Sequence, residues 1–585
     1  LVRKQILRRD IDAPQNDLPA DLHPVLKRIY LARHVRSARE LERSLNGLLS
    51  PESLSGIEEA VALLADALSR RARILVVADF DADGATSCAV AVRALRAMGA
   101  QDVRYLVPDR VVHGYGLTPK IVDEALAQHP DLIITVDNGI SSIAGVAAAR
   151  EQGIQVLVTD HHLPAEVLPD ANAIVNPNQP GDSFESKMLA GVGVIFYVML
   201  ALRSHLREHG WFDKNDIAEP NLAQWLDLVA LGTIADLVPL DRNNRLLVAQ
   251  GLARMNSGQC TAGIKALVSI SGRTIGQLAA SDIGFFVAPR LNAAGRLEDM
   301  ALGIECLLTD SAETAMHLAS ELDRINRERR IIQQEMQEQA LAAVAALHLD
   351  QNGLPKGLCL FDNSWHQGVV GLVASKVKER YHRPVIALAP AGDGELKGSA
   401  RSIPGLHIRD TLDAVAARHP ELLQKFGGHA MAAGLSIRAT DLDAFSEAFD
   451  QEVSRVLSDS DLNQQILTDG ELAADELAIS FAEQLRAAGP WGQGFPEPVF
   501  EGEFRLLASR VVGDKHVKMR VANRTGTALD AIAFNQAPDG IAPEWPSARM
   551  AYRLEINEFR GVRSVQLVVD YMEPVSETAD VSSEQ

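Results

Sequence analysis

Cysteine is scarce and dispersed: Cys88, Cys260, Cys306 and Cys359 include no C-x-x-C pair, which excludes a disulfide framework and a zinc ribbon. Long apolar runs are missing too. The longest, Met188 to Leu202, falls short of the roughly 20 residues that a membrane helix requires and reads as a buried helix. Positive charge is in deficit, 57 Lys and Arg against 77 Asp and Glu, for a formal net charge of -20. Such a surface repels a polyanion on average, so any nucleic-acid role needs a local basic track or bound cations. The basic residues Arg3, Lys4, Arg8 and Arg9 are followed by no apolar stretch before Asp10 and Asp12, unlike a secretory signal, and a cytoplasmic, membrane-free monomer is the default.

What is present is 585 residues, 47% of them hydrophobic, too many for one core and enough for three or four domains. Residues 1–70 read as a helical segment. From Ile74 short β-branched runs alternate with helical stretches: strands at 74–79, 103–107, 131–136 and 154–159, helices at 85–98, 118–128 and 141–152. This is the pattern of a parallel α/β sheet covered on both faces, with its domain at 71–310. Residues 311–349 lack Gly and Pro in their helical part and are dense in charge, as expected of a long exposed connecting helix. A second, smaller α/β domain occupies 350–460, and its stretch Gly427 to Gly434 is expected to open a short helix. Alternation in 552–571, broken by Arg560-Gly561, predicts hairpin strands in an all-β barrel at 461–574, and the polar tail 575–585 reads as disordered.

Three of the predicted strands end in acidic residues or histidine: Asp79, Asp81 and Asp83; Asp137; and Asp160, His161 and His162. In an open parallel sheet the carboxyl ends of strands converge on one crevice. The first triplet superficially resembles a calcium loop, but the twelfth position is Val90 and a strand precedes it, which excludes an EF-hand. Read as extended, the triplet directs its three carboxylates to one face. Carboxylates so crowded repel unless a cation neutralises them. With imidazole among the donors Mn²⁺ suits the site, with Mg²⁺ as the harder alternative. So many ligands imply two ions, with Asp137 the best bridge and Asp236, in Gly232-Thr233-Ile234-Ala235-Asp236, a further ligand. Gly191-Val192-Gly193 lacks the rest of a dinucleotide fingerprint and is set aside.

The segments Asp79 to Gly84, Val136 to Gly139, Asp160 to His162 and Gly232 to Asp236 resemble, in order and spacing, the four motifs of the DHH phosphoesterase superfamily. Gly427 to Gly434 is similar to the motif of its associated C-terminal domain. The resemblance implies a DHH domain, a DHH-associated α/β domain and an OB-like barrel, with one ion held by Asp83, Asp137, His161 and Asp236 and the other by Asp81 and Asp137. Manganese-dependent pyrophosphatases of the same superfamily carry a histidine where this chain has Val77, so Asp79 is the expected substitute. His162 would face the phosphate.

Within the superfamily the chain most resembles 5′-to-3′ exonucleases of single-stranded DNA, which act in repair and recombination beside a single-strand-binding protein and a helicase. That likeness implies that Arg110, Ser399 and Arg401 bind near the terminal 5′-phosphate, while Arg290, Asn292, Arg296 and His429 hold the backbone. In the barrel, His516, Lys518 and Arg520 alternate with apolar residues and offer a basic face to a single strand. Two competing classes are a DHH phosphodiesterase for short oligonucleotides or cyclic dinucleotides, which needs only the two lobes, and a decayed non-catalytic scaffold, against which the intact carboxylates argue.

Overall fold

In the computed structural model the β-branched run after Arg73 becomes an inner strand of a five-stranded sheet ordered Asp102–Leu106, Arg73–Ala78, Leu132–Val136, Gln155–Thr159, Ala173–Val175, all parallel. The structure describes residues 4–11, 15–108, 115–347, 354–513, 515–537 and 540–575. Successive side chains go to opposite faces: Leu75 and Val77 pack with Ile121 and Val146 of the helices Pro119–Leu126 and Ile143–Glu151. Ile74 and Val76 join the larger core with Leu95 and Tyr197 of the helices Ala82–Ala97 and Gly191–Glu208. The strand order reverses between Arg73–Ala78 and Leu132–Val136, which leaves a crevice beyond their carboxyl ends. The short edge strand Ala173–Val175 escaped the sequence reading, because three residues carry no usable periodicity.

The chain divides into two compact units. One comprises Arg8–Asp323 and Leu467–Gln585, so the parallel-sheet domain and the barrel belong to the same body. Inside it Arg33, 7% exposed, forms a bidentate pair with Asp469 at 2.7 and 3.0 Å. The barrel closes in the order Phe500–Val512, His516–Ala522, Ala528–Ala533, Val562–Pro574, Ser547–Phe559. Its last hairpin pairs Leu554 with Leu567 and Ile556 with Val565 across Arg560 and Gly561, both left-handed as a two-residue hairpin turn demands. A helix, Ile479–Ala488, precedes the strands, so the segment from 461 is not all-β as expected. Among the described residues no helix is long and apolar enough to cross a membrane.

The other unit comprises Leu1–Leu7 and Arg324–Ile466. Its mixed sheet runs Lys425–Gly428, Ala432–Arg438, Glu395–Arg401, Val385–Gly392, Leu358–Phe361. The helix Ala312–Leu347, 36 residues long, begins in the first unit and ends in this one. Two expectations are corrected. The glycine-rich stretch opens no helix: it is a hairpin in which Gly427 faces Gly434 and Gly428 faces Ala433, with His429 N–H donating to the Ala432 carbonyl at 2.8 Å. Gly428 takes φ 144°, and an added Cβ would stand 2.5 Å from the Ala432 oxygen, so the glycines serve a tight reversal. Nor is the N-terminal segment purely helical: Lys4–Arg8 is a strand pairing with Gln464–Thr468, a partner too distant in sequence to be visible locally.

Candidate metal centre

Beyond Ala78 the chain does not stay extended through Asp83, as the sequence reading had it; it turns at once into the helix Ala82–Ala97. Asp81 is the N-cap, its carboxylate accepting from the backbone N–H groups of Asp83 (2.9 Å) and Gly84 (3.0 Å), and capping prevails because aspartate satisfies otherwise orphaned donors there. Asp83, in the first turn, accepts from the N–H groups of Gly191 (2.6 Å) and Val192 (2.9 Å) at the start of another helix. The first three carboxylates therefore come together at a strand end and the start of the helix that follows it, with a second helix start holding Asp83.

Asp137 follows Leu132–Val136 in a left-handed conformation (φ 61°) and is 2% exposed. His161 places Nε2 at 3.1 Å from Asp137 Oδ1 and 3.5 Å from Asp236 Oδ2. Asp236 stands at the C-terminal end of the helix Leu226–Ala235. Three donor groups result, each with ligand atoms within 4.8 Å of one another: Asp79, Asp81 and Asp137; Asp83, His161 and Asp236; Asp137, His161 and His162. Asp137 joins two of the three groups. Asp160 is buried behind them, its Oδ1 bound to His162 Nδ1 at 2.7 Å and its Oδ2 accepting from Ile140 N–H at 2.9 Å.

Burial, then the charges of neighbouring aspartates, pushes the Asp137 and Asp236 carboxyls well above the usual range. Asp83 is pushed up to about 7, by burial first and Asp81 second. Burial opposes charge on His162, but the hydrogen bond and charge of Asp160 outweigh it and lift the imidazole to about 9. Asp137 Oδ1 is buried and, among the described residues, accepts no hydrogen bond. Hard carboxylate donors, an imidazole and a buried carboxylate oxygen without a hydrogen bond among the described residues fit divalent cations of the Mn²⁺ or Mg²⁺ kind.

A pH dependence follows. An acid whose folded pKa is raised keeps its proton after the unfolded chain has lost it, so without cations stability falls as pH rises from about 4 through about 7. Binding of a cation reverses this. One ion at about 100 times its Kd adds about 2.7 kcal/mol, and the rise in melting temperature on adding Mn²⁺ is expected to be larger at pH 8 than at pH 5. Equal melting curves with Mn²⁺ and with chelator at pH 8 would contradict a cation site here.

The sequence reading gives no role in the centre to the residues that hold this arrangement. Tyr115 sets its hydroxyl 3.2 Å from His162 Nδ1 and donates to the Asp137 carbonyl at 3.2 Å. Asn178 Nδ2 donates to the His161 carbonyl (2.6 Å) and Asn176 Nδ2 to that of His162 (2.9 Å). The Asn-Pro-Asn run after the unrecognised edge strand was the available signal. Asn138 Nδ2 donates to the Val77 carbonyl at 3.1 Å, at the position where the pyrophosphatases carry histidine.

Of the expected substrate contacts, Asn292 accepts from Ala82 N–H at 2.8 Å and so fixes the loop from Asp79 to Asp83. Gly295 lets the same helix, Ala288–Leu297, approach that loop, since an added Cβ would overlap the Phe80 carbonyl. Arg290, 7% exposed, pairs with Asp323 at 2.8 Å and donates to the Phe286 carbonyl, while Arg296 is half-buried in the last turn. Arg110 lies outside the described residues. In the other unit Ser399 and Arg401 share the strand Glu395–Arg401, with Arg401 Nη1 2.7 Å from Ser399 Oγ. Gly371 leaves room for both: an added Cβ would stand 2.8 Å from Arg401 Nη2 and 3.0 Å from Ser399 Oγ. In the barrel, Val517, Met519 and Val521 point inward and Lys518 and Arg520 outward, Arg520 lying 3.7 Å from Asp530 of the next strand. That acid was invisible in the linear stretch.

Three family models match the chain: the DHH family, N-terminal domain, at residues 73–233, the DHHA1 domain at 352–455 and the RecJ OB domain at 468–571. The single-stranded-DNA-specific exonuclease RecJ of Salmonella typhimurium is 54% identical over 578 residues, covering 98% of this chain and 100% of that protein. RecJ of Escherichia coli is 53% identical over 576 residues, 98% of this chain and 99% of its own. Among solved structures, RecJ of Thermus thermophilus in complex with Mn²⁺ superposes with a TM-score of 0.78 at 29% identity, over 98% of this chain and 80% of that one. Motif order, all three domains and identity along nearly the whole length agree, and the chain belongs to the RecJ family.

Proposed function

We propose that this protein is a metal-dependent exonuclease that hydrolyses single-stranded DNA from its 5′ end using two divalent cations, Mn²⁺ or Mg²⁺. The observation that carries the reading is the convergence of Asp79, Asp81, Asp83, Asp137, His161 and Asp236 on one crevice in a chain matched end to end by single-stranded-DNA-specific exonucleases. Asp83, His161, Asp236 and Asp137 would hold one ion and Asp79, Asp81 and Asp137 the other. When bound, such ions would lower the pKa of a water nucleophile and offset the charge that develops on the phosphodiester. His162, kept cationic by Asp160, neutralises a phosphate oxygen in the transition state. Tyr115 orients its ring. A single-strand-binding protein and a helicase are the partners that family resemblance proposes.

We assign the terminal phosphate to Ser399 and Arg401, because a guanidinium fork beside a hydroxyl matches a phosphate dianion. The test uses single strands labelled at either end, a matching duplex and a dinucleotide, each with Mn²⁺, Mg²⁺ or chelator. Label at the 5′ end is released first, only from single strands and only with metal. Arg401→Ala is expected to reduce the preference for 5′-phosphorylated over unphosphorylated strands about tenfold, in line with loss of a charged hydrogen bond, with kcat at saturation changed far less. An unchanged preference at matched salt would move the phosphate site elsewhere, and release from the 3′ end would reverse the polarity.

A further inference from the structure

A cavity of about 860 Å³ reaches the barrel, and Ile234 and Leu237, which flank Asp236 in sequence, form part of its wall. Packed against the helix Leu226–Ala235 is a single π-helical turn, Ile283–Val287, a conformation that recurs at functional sites. Within it Phe286 is covered by the Arg273 guanidinium at 3.4 Å from the ring centroid, whereas Phe285 is 73% exposed. Leu237, left-handed at φ 60°, is 69% exposed. Gly284 packs against Ile234, where an added Cβ would lie 3.3 Å from Cγ2, so the turn is fixed to the helix that ends at Asp236.

The charges of the wall fall into two sets. Asp282 pairs with Arg273 at 3.4 Å, and Glu497 and Glu555 pair with Arg553 at 3.1 and 3.0 Å. Arg43 and Arg486 stand exposed at the rim. Bare aromatic and aliphatic side chains next to exposed guanidiniums match a ligand with flat apolar faces on an anionic backbone, which is single-stranded nucleic acid.

We propose that Phe285, which lines the same cavity as Leu237, is a stacking platform for one nucleobase of the single strand being degraded. The inference rests on the reading of the substrate as single-stranded DNA. Phe285 is a positioning residue: it holds one base so that the phosphate meets the cations, and it takes no part in proton transfer. The π turn presents the ring outward while Arg290 caps the displaced Phe286 carbonyl from the other side.

The test compares wild type, Phe285→Ala, Phe285→Leu and Phe285→Trp on single strands carrying one abasic site at successive positions from the 5′ end. For wild type, one abasic position is expected to raise KM about tenfold, the scale of a lost base–aromatic stack. Phe285→Ala should raise KM about tenfold on intact strands with kcat within about twofold, and should lose sensitivity to that same abasic position. Phe285→Trp should restore both, and Phe285→Leu should not. Melting curves matching wild type establish that the ring is not needed for folding, as its exposure implies. Wild-type KM in Phe285→Ala, or abasic sensitivity that persists in it, would overturn the platform. If wild type fails to degrade single strands at all, it is the substrate reading that falls.

Discussion

Asp137→Asn is expected to lower the rate of single-strand hydrolysis by roughly 1,000-fold or more while leaving the metal-free protein as stable as wild type or more so. The first half follows from geometry, since Asp137 belongs both to the group with Asp79 and Asp81 and to the group with His161 and His162. Losing its charge weakens both cation positions together. The second half follows from electrostatics: the carboxyl is buried and faces the charges of Asp83, Asp81, Asp79 and Asp236, which is why its proton is held so tightly. Asparagine is the informative replacement because it tolerates the left-handed backbone at φ 61°, where alanine adds strain. Activity and melting temperature, each with Mn²⁺ and with chelator, decide the matter. Substantial Mn²⁺-dependent turnover in this variant would end the two-cation description.

Gly191→Ala comes second in expected effect, at about 100-fold in kcat, the scale of an ångström-sized misplacement of catalytic groups. A Cβ at this residue would stand 2.5 Å from Asp137 Cβ and 2.7 Å from its Oδ1. To relieve that overlap the helix start must retreat, and with it the two N–H groups that hold Asp83. Gly193→Ala is the control, since its Cβ would meet the end of the Leu189 side chain at 3.0 Å, which can rotate aside. A kcat for Gly191→Ala equal to that of Gly193→Ala would show that the close approach does not matter.

Much of this centre is legible in the sequence. The run of β-branched residues before Asp79, Asp137 and Asp160 carries a parallel sheet's signature, and the geometry of such sheets brings their carboxyl ends together. What stayed hidden depended on partners remote in sequence. Gly191-Val192-Gly193 tests negative as a nucleotide fingerprint, yet its N–H groups anchor Asp83. The opposition of Asp530 to Arg520 arises only through strand register. The Gly427–Gly434 stretch misled because glycines serve a helix start and a hairpin equally well, and the choice was made by pairing with the strand Glu395–Arg401. Phe285 carried no periodic signal, since a π turn shifts the helical phase by one residue.

The discontinuity of the larger unit bears on the order in which the chain emerges from the ribosome. The parallel sheet is complete once residue 175 is made, but Arg33 waits for Asp469, and the core around the sheet waits for the barrel. Throughout that interval a guanidinium destined for burial has no counter-charge, and apolar surface stands open to solvent while the whole intervening unit is synthesised. Truncation before 469 should therefore yield nascent chains that bind holdase chaperones and resist refolding in isolation, although every residue of the metal centre is already present.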